Sequence, residues 1–187
     1  KLSNDKLANE VVYQGQIVAD RGYEEFVKAS KIQDNKKVSY IVRGFGPLEN
    51  DLKDLIKSID ANVRIDEPVE VTELVKKLSE SDIGVVLTKP VSINFEYTVS
   101  NKIFECIHAG LPVILSPVKE HHFLNDKYNF GIVIDEVTSK NIADAVNKLA
   151  DNKKLYDELR ENAIKAAKIL NWQNESQKLV ELYKQTV

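Results

Sequence analysis

Two charged residues, Lys102 and Glu105, lie three positions apart in a segment whose pattern predicts a helix over residues 101–109. Side chains three apart share one face of a helix, so the ammonium and the carboxylate should point into the same space. Lysine supplies a point charge for a phosphate, and a carboxylate accepts hydrogen bonds from ribose hydroxyls. The pair therefore predicts a site for a diphosphate and a ribose. The alternative is an ordinary ion pair on a solvated helix, worth about 0.2 to 0.5 kcal/mol.

A second candidate is a loop with a glycine at each end, Gly15 and Gly22, and one cation, Arg21, just before a predicted helix. Backbone amides at a helix start, together with a guanidinium, can hold a phosphate. Taken alone, the loop is better explained by two tight turns and a solvated arginine.

A third candidate is the turn that contains Gly44 and Gly46, because glycines between a strand and a helix let the backbone approach a ligand. The turn lacks the third glycine of the dinucleotide fingerprint, which argues against a nicotinamide enzyme.

These candidates are positioned by an alternation of short apolar, β-branched runs and longer amphipathic segments. The predicted strands lie at residues 11–13, 38–42, 63–65, 83–87, 112–115 and 131–134, with the third the weakest. The predicted helices lie at residues 23–32, 48–59, 71–78, 101–109, 142–149, 155–170 and 174–183. This alternation predicts an α/β fold with a doubly wound parallel sheet, in one domain over residues 1–187 with a helical C-terminal tail at 151–187. In such a sheet, the ligand crevice lies beyond the carboxyl ends of the strands, where all three candidates fall.

Composition narrows the class of protein. The chain of 187 residues has 26 basic and 29 acidic side chains, and this balance gives no electrostatic footprint for nucleic acid. Cys106 is the single cysteine, which excludes an internal disulfide and a multi-cysteine metal site, and favours a cytoplasmic location. No apolar run approaches the roughly 20 residues that span a bilayer. Because methionine is absent, we expect the sequence to be part of a longer protein.

Taken in order, the motifs resemble the C-terminal donor-binding domain of the family-four (group 1) retaining glycosyltransferases, whose GT-B architecture has two facing Rossmann-like domains. That family has a Gly-Arg loop ending in Lys-Gly, a Gly-x-Gly-Pro turn, a Ser-Asp before a strand, and a Pro-x-Lys-x-x-Glu helix that runs into Ala-Gly-x-Pro-Val-Ile. The matching segments here are residues 15–22, 44–47, 81–82, 100–105 and 109–114, so the resemblance spans nearly the whole chain.

The resemblance implies a role for each site residue. Arg21, in place of the family's loop lysine, and the nearby Lys102 would act as the catalytic cations that bind the donor diphosphate and stabilise the leaving group. Glu105 would bind the ribose hydroxyls. The other implied donor-binding positions are Gly15, Gln16, Gly22, Gly44, Gly46, Ser100 and Asn101. No metal and no cofactor besides the donor nucleotide sugar is implied.

Besides Arg21, three positions depart from the family pattern. Gln16 stands where the family has a phosphate-binding arginine, and Ser100 replaces a proline. The glutamate expected eight positions before Glu105 is Tyr97, with Glu96 beside it as a candidate replacement.

We therefore predict that the chain is the donor domain of a hexosyl- or glycosyltransferase. It would bind a uridine or guanosine diphosphate sugar for retaining transfer, in surface or capsular polysaccharide synthesis. The partner would be an N-terminal acceptor-binding domain that this chain lacks, without which we expect no turnover. Peripheral association of the full-length protein with the inner face of a membrane stays open. Two alternatives also remain: a nucleotide-sugar 2-epimerase of the same fold, and a non-catalytic flavodoxin-like binding module.

Other chemically active side chains are given structural roles. His121 and His122 are expected in a solvated loop, because adjacent residues point apart and no further ligands cluster with them. His108 is expected to cap the end of its helix, and Cys106 to be a small buried apolar residue. Trp172 is expected to anchor helix packing.

Overall fold

The structure is a computed structural model that describes residues 8–34 and 37–186. In this part of the chain, six parallel strands form one sheet. The strands are β1 (Glu10–Gln14), β2 (Ser39–Arg43), β3 (Val63–Asp66), β4 (Ile83–Val86), β5 (Val113–Leu115) and β6 (Gly131–Val133). Their order across the sheet is β3-β2-β1-β4-β5-β6, which confirms the predicted doubly wound parallel sheet.

Helices cover both faces of this sheet, and for that reason the central strands β4 and β5 are apolar and buried along their whole length. The helices are α1 (Tyr23–Ile32), α2 (Glu49–Ser58), α3 (Val71–Leu78), α4 (Ile93–Glu96), α5 (Asn101–His108), α6 (Lys119–Tyr128), α7 (Ser139–Asp151), α8 (Lys153–Ala167) and α9 (Trp172–Thr186). All the predicted helices are present with small differences at their ends, but α4 and α6 were not predicted. The first is a single turn, and in the second only His121 and Leu124 are buried, so neither shows a clear apolar stripe.

Two apolar clusters form the core, one on each face of the sheet. On one face, α1, α2 and α7 cover the sheet, and the ring of Tyr13 stacks on that of Tyr23 with centroids 4.2 Å apart. On the other face, Ile103 and Ile107 of α5 pack with Ala163 and Ala166 of α8. The helix α8 is therefore part of the packed domain.

The apolar side chains of the last helix, α9, are exposed, whereas α7 and α8 each bury several. Trp172, its first residue, is 70% exposed, so the expectation that this residue anchors packing is wrong for the described part of the chain. No helix among the described residues is both long and apolar enough to cross a membrane.

The order of the sheet places the ligand crevice. The chain leaves β1 toward β2 on one side and later returns to β4 on the other, so the loops after β1 and β4 diverge and open a crevice between them. The loop after β2 lies beside the loop after β1, since Gln14 and Arg43 are aligned in the sheet.

Candidate functional site

The loops after β1 and β2 pack backbone against backbone. The N–H of Ile17 donates to the carbonyl oxygen of Phe45 over 2.9 Å. A Cβ atom on Gly44, whose φ is 150°, would lie 2.0 Å from the carbonyl oxygen of Gly15. One on Gly46 would lie 2.3 Å from the carbonyl oxygen of Ile17. These two glycines therefore permit contact between two loops, whereas the sequence suggested contact with a ligand. Their place in a donor site stays a prediction.

The side chain of Lys102 lies directly over the backbone of Gly15. A Cβ atom on Gly15 would come within 2.2 Å of Cε and 2.9 Å of Nζ of this lysine. The ammonium lies 5.7 Å from the centre of the Tyr13 ring. Burial and the positive charge of Arg21 lower the pKa of Lys102 to about 8, and the charge of Glu105 opposes this shift. The glycine at the end of β1 thus makes room for a cation.

Arg21 is half-buried and held in place by its neighbours. Its Nη1 donates to Oγ1 of Thr88 over 2.8 Å, and its guanidinium carbon lies 4.5 Å from the centre of the Phe95 ring on α4. Its carbonyl oxygen accepts a hydrogen bond from the hydroxyl of Tyr13. Arg21 is therefore not the solvated side chain that the sequence analysis gave as the alternative.

Glu105 has a partner that sequence reasoning missed, Gln14. The amide of Gln14, which is only 7% exposed, donates a hydrogen bond to the carboxylate of Glu105. Burial raises the pKa of Glu105, while the bond from Gln14 and the charge of Lys102 oppose this rise. Lys102 and Glu105 lie on one face of α5, as predicted, yet the structure records no ion pair between them. The ordinary solvated ion pair is therefore not observed.

The remaining predicted positions are neighbours of this cluster along the chain. Ser100 caps α5, with its Oγ accepting the N–H of Lys102 over 3.4 Å. Gln16 and Asn101 are exposed. Gly22 is buried just before α1, where an added Cβ atom would lie 2.8 Å from Cγ1 of Val137, so this glycine makes room for a neighbouring loop.

Glu96, the candidate replacement for the missing glutamate, is paired with a lysine of α6. Its carboxylate lies 3.2 Å from Nζ of Lys119, which also donates to the hydroxyl of Tyr97 over 2.6 Å. Both residues are thus tied to α6 in this structure.

The expectation of a solvated loop at His121 and His122 is wrong. Both residues lie in α6, and His121 is fully buried while His122 is exposed. The Nδ1 of His121 lies 3.1 Å from both the carbonyl oxygen and Oγ of Ser116. Burial lowers the pKa of this imidazole to about 4. The sequence analysis therefore missed a buried, neutral histidine next to the candidate site.

Two other predictions are confirmed. His108, in the last turn of α5, has its Nδ1 2.7 Å from the carbonyl oxygen of Phe104, as a helix-capping side chain should. Cys106 is buried, and burial raises the pKa of its thiol to about 12. Across residues 8–34 and 37–186, no cluster of three or more histidine, cysteine, aspartate or glutamate side chains is suited to holding a metal ion.

The arrangement favours an anion. Arg21 and Lys102 are close enough for the arginine to depress the pKa of the lysine, so bringing a negative charge between them relieves a repulsion. Glu105 lies one helical turn from Lys102, with one side of its carboxylate fixed by Gln14. Two cations and an oriented hydrogen-bond acceptor thus converge at the switch point of a doubly wound sheet.

This fold and site define a doubly wound domain with a crevice suited to a phosphorylated ligand. A family model described as Glycosyl transferases group 1 matches residues 8–152. Because the match covers more than half of the sequence, the chain belongs to this family. The family favours the glycosyltransferase prediction over the epimerase and the flavodoxin-like module.

Curated relatives extend beyond the present chain. The α-D-kanosaminyltransferase of Streptomyces kanamyceticus is 25% identical over 157 residues, which is 82% of this chain and 39% of that protein. A probable sucrose-phosphate synthase of Vicia faba is 34% identical over 91 residues, which is 46% of this chain and 8% of that protein. The chain thus spans well under half the length of either relative.

Solved structures support the same fold. Alr3699/HepE of Anabaena in complex with UDP superimposes with a TM-score of 0.81 at 14% identity, over 95% of this chain and 49% of that one. WaaG, a glycosyltransferase involved in lipopolysaccharide biosynthesis, gives 0.74 at 16%, over 95% and 47%. The C-terminal domain of LpcC from Francisella tularensis gives 0.72 at 16%, over 87% and 85%. The predicted fold, the C-terminal half of GT-B, is confirmed.

Proposed function

We propose that this chain is the donor-binding domain of a glycosyltransferase and binds a nucleoside diphosphate sugar in the crevice between β1 and β4. The observation that carries the proposal is the convergence of Arg21 and Lys102 at the carboxyl end of β1, beside a Glu105 carboxylate oriented by Gln14. In this assignment the two cations bind the diphosphate, and the carboxylate accepts hydrogen bonds from the ribose hydroxyls.

The chemistry of transfer follows from these charges. When the bond from the anomeric carbon to the diphosphate breaks, negative charge grows on the departing phosphate oxygens. Arg21 and Lys102 stabilise that charge more strongly than the ground state, which lowers the barrier. No metal ion is required in this scheme, because the leaving group is neutralised by side chains and backbone amides. The exposed Gln16 contributes a neutral side chain where the family pattern has another cation.

For the nucleotide, we infer uridine diphosphate. Support comes from solved structures of similar fold that are complexes with UDP, among them that of Anabaena HepE. HepE shares 14% of its aligned residues with this chain, so the common fold is what supports the choice of base.

The complete enzyme, in this proposal, has a second domain. The chain covers only 47% of WaaG and 49% of HepE, which is consistent with a preceding acceptor-binding domain that closes over the crevice. The domain described here would then be inactive alone. We also propose that transfer proceeds with retention at the anomeric carbon and serves surface or capsular polysaccharide synthesis. The proposal further includes a cytoplasmic location and peripheral association of the full-length protein with a membrane.

The test is a calorimetric titration of this chain with UDP, GDP and ADP. Saturable binding of UDP, with weaker binding of the other two, supports the proposal, whereas no binding of any nucleotide contradicts it. For the full-length protein, the anomeric configuration of the product, read by NMR coupling constants, separates retention from inversion. Steady release of free nucleotide without a glycosylated product would favour the epimerase instead.

A further inference from the structure

Three side chains beside the candidate site are completely buried and polar: Thr88, Ser116 and His121. Thr88 follows β4, Ser116 follows β5, and His121 lies in the first turn of α6. Buried polar groups are costly unless they are hydrogen-bonded, so their retention in one place needs an explanation. Neither the sheet nor the proposed contacts with the donor supply one.

The three residues form one series of hydrogen bonds that ends on Arg21, to which Thr88 contributes both its backbone N–H and its hydroxyl. The Nδ1 of His121 lies 3.1 Å from both the carbonyl oxygen and Oγ of Ser116. Because a carbonyl oxygen can only accept, the proton of the neutral ring belongs on Nδ1, which donates to Ser116. The Oγ of Ser116 accepts the backbone N–H of Thr88 over 2.9 Å. The Oγ1 of Thr88 then accepts Nη1 of Arg21 over 2.8 Å.

These hydrogen bonds hold in place a segment that has no regular secondary structure of its own. Beyond β4, residues 87–92 leave the sheet before α4 begins. The bond from Thr88 to Ser116 ties this segment to the end of β5, and the N–H of Lys89 donates to the carbonyl oxygen of Asp20 over 2.9 Å. The hydroxyl of Thr88 is therefore a fixed point on an otherwise irregular loop.

Arg21 gains its orientation from that fixed point. One guanidinium nitrogen is bonded to Thr88, and the Phe95 ring lies beneath the guanidinium at 4.5 Å. Two contacts in different directions define the plane of the group. A guanidinium has five N–H groups, so the bond to Thr88 leaves others for phosphate oxygens.

His121 completes the arrangement as a neutral donor. Its imidazole is buried near Arg21, and both the burial and the arginine's charge disfavour protonation of the ring. A neutral ring with its proton on Nδ1 can hold Ser116 without adding a positive charge that would repel Arg21.

We propose that Thr88 is a positioning residue for Arg21, and that Ser116 and His121 hold Thr88 in place for this purpose. The inference rests on the proposed function, since it takes Arg21 to be a cation that binds the diphosphate. It adds three buried residues, one after β4, one after β5 and one in α6, to a site otherwise built from the β1 loop and α5.

The test is a double-mutant cycle in UDP binding, measured by calorimetry on Thr88→Val, Arg21→Ala and the double variant. Valine keeps the shape of threonine and the backbone N–H but lacks the hydroxyl. Thr88→Val is expected to weaken UDP binding about tenfold, the size of a lost hydrogen bond to a charged group. In the Arg21→Ala background, the same change should cause no further loss. Thr88→Ser, which keeps the hydroxyl, should bind UDP as the wild type does.

A second readout separates positioning from general damage. The ratio of affinities for UDP and 2′-deoxy-UDP reports on the ribose contacts, so it should be unchanged in Thr88→Val if only Arg21 is displaced. His121→Asn retains an N–H near the position of Nδ1 and should bind UDP normally. His121→Phe, which lacks that donor, should resemble Thr88→Val, and circular dichroism confirms that each variant is folded at the temperature of the titration.

The outcomes are distinguishable. Wild-type UDP affinity in Thr88→Val, or a loss that adds fully to that of Arg21→Ala, overturns the positioning role and leaves the proposed function intact. An altered ratio of UDP to 2′-deoxy-UDP also overturns it. If Arg21→Ala itself binds UDP normally, the assignment of Arg21 to the diphosphate fails, and the role of Thr88 falls with it.

Discussion

The buried amide of Gln14, at the end of β1, donates a hydrogen bond to the carboxylate of Glu105 on α5. This bond joins the sheet to the helix that carries two of the candidate site residues. It occupies one side of the carboxylate and so fixes the direction of the other. It also stabilises the charged form of Glu105 against burial, which raises the pKa of that group.

Replacing Gln14 by leucine should therefore shift the pH dependence of UDP binding. Affinity is expected to fall on acidification as Glu105 becomes protonated and loses its capacity to accept two ribose hydrogen bonds. Because the Gln14 bond lowers the pKa of Glu105, its loss moves the midpoint of this fall to higher pH. Calorimetric titrations of UDP at a series of pH values measure the midpoint. The matched variant Gln177→Leu, on the exposed surface of α9, should keep the wild-type midpoint, and an unmoved midpoint in Gln14→Leu would contradict the role of Gln14.

The lowered pKa of Lys102 predicts that UDP affinity also falls at high pH. Its pKa is lowered to about 8, so in the free protein the lysine loses its charge as the pH rises through that value. UDP affinity should decline over the same range, since a neutral amine no longer attracts the diphosphate. Lys102→Arg, which keeps its charge at all accessible pH values, should remove the decline. A decline that persists in Lys102→Arg would show that another group causes it.

The close contact between the loops after β1 and β2 predicts that a side chain at Gly44 destabilises the fold. Gly44→Ala places a Cβ atom 2.0 Å from a backbone oxygen in a segment with φ of 150°, so the loops must separate. We expect a loss of about 2 kcal/mol or more in the free energy of unfolding, measured by urea denaturation. Gly110→Ala is the control, because its φ of 73° is also positive but the nearest atom lies 3.4 Å away. Equal losses in the two variants would mean that backbone strain alone, and not the loop contact, sets the cost.

The burial of His121 should make the free energy of unfolding depend on pH. Its pKa is about 4 in the folded protein, compared with 6.5 for an unperturbed histidine. Between these values the unfolded chain binds the proton and the folded chain does not, so the free energy of unfolding falls as the pH drops from 6.5 to 4. His121→Asn removes this contribution, and urea denaturation across that pH range should show a shallower slope than the wild type. His122→Asn, which removes an exposed imidazole from the same helix, is the matched comparison. A slope in His121→Asn as steep as in the wild type would contradict the buried neutral state.

Sequence alone predicted the sheet well, because β-branched runs such as 83–87 are buried on both faces. The edge strand β3 gave a weak signal for a physical reason, since its residues are only partly buried. The segment around His121 gave none, as polar residues dominate α6. The expectation for Trp172 failed because helix propensity does not reveal which face a terminal helix buries.

The candidate site was predicted only where its residues are close together in sequence or match a family motif. Lys102 and Glu105 were found from their spacing along one helix. Gln14 was not, because it is 91 positions from its partner and only the fold brings the two together. The bond from Arg21 to Thr88, 67 positions away, was missed for the same reason.

The proposed function depends most on Glu105, the residue that would bind the ribose of a nucleoside diphosphate in this crevice. Its most direct test is a calorimetric titration of UDP into the wild type and into Glu105→Gln, which keeps the shape of the side chain but replaces an acceptor by a donor. We expect saturable binding by the wild type and an affinity about tenfold or more lower in the variant. Glu161→Gln, on the exposed surface of α8, serves as the control and should bind UDP normally. Wild-type affinity in Glu105→Gln would show that Glu105 does not bind the ribose, and no UDP binding by the wild type would overturn the proposed function.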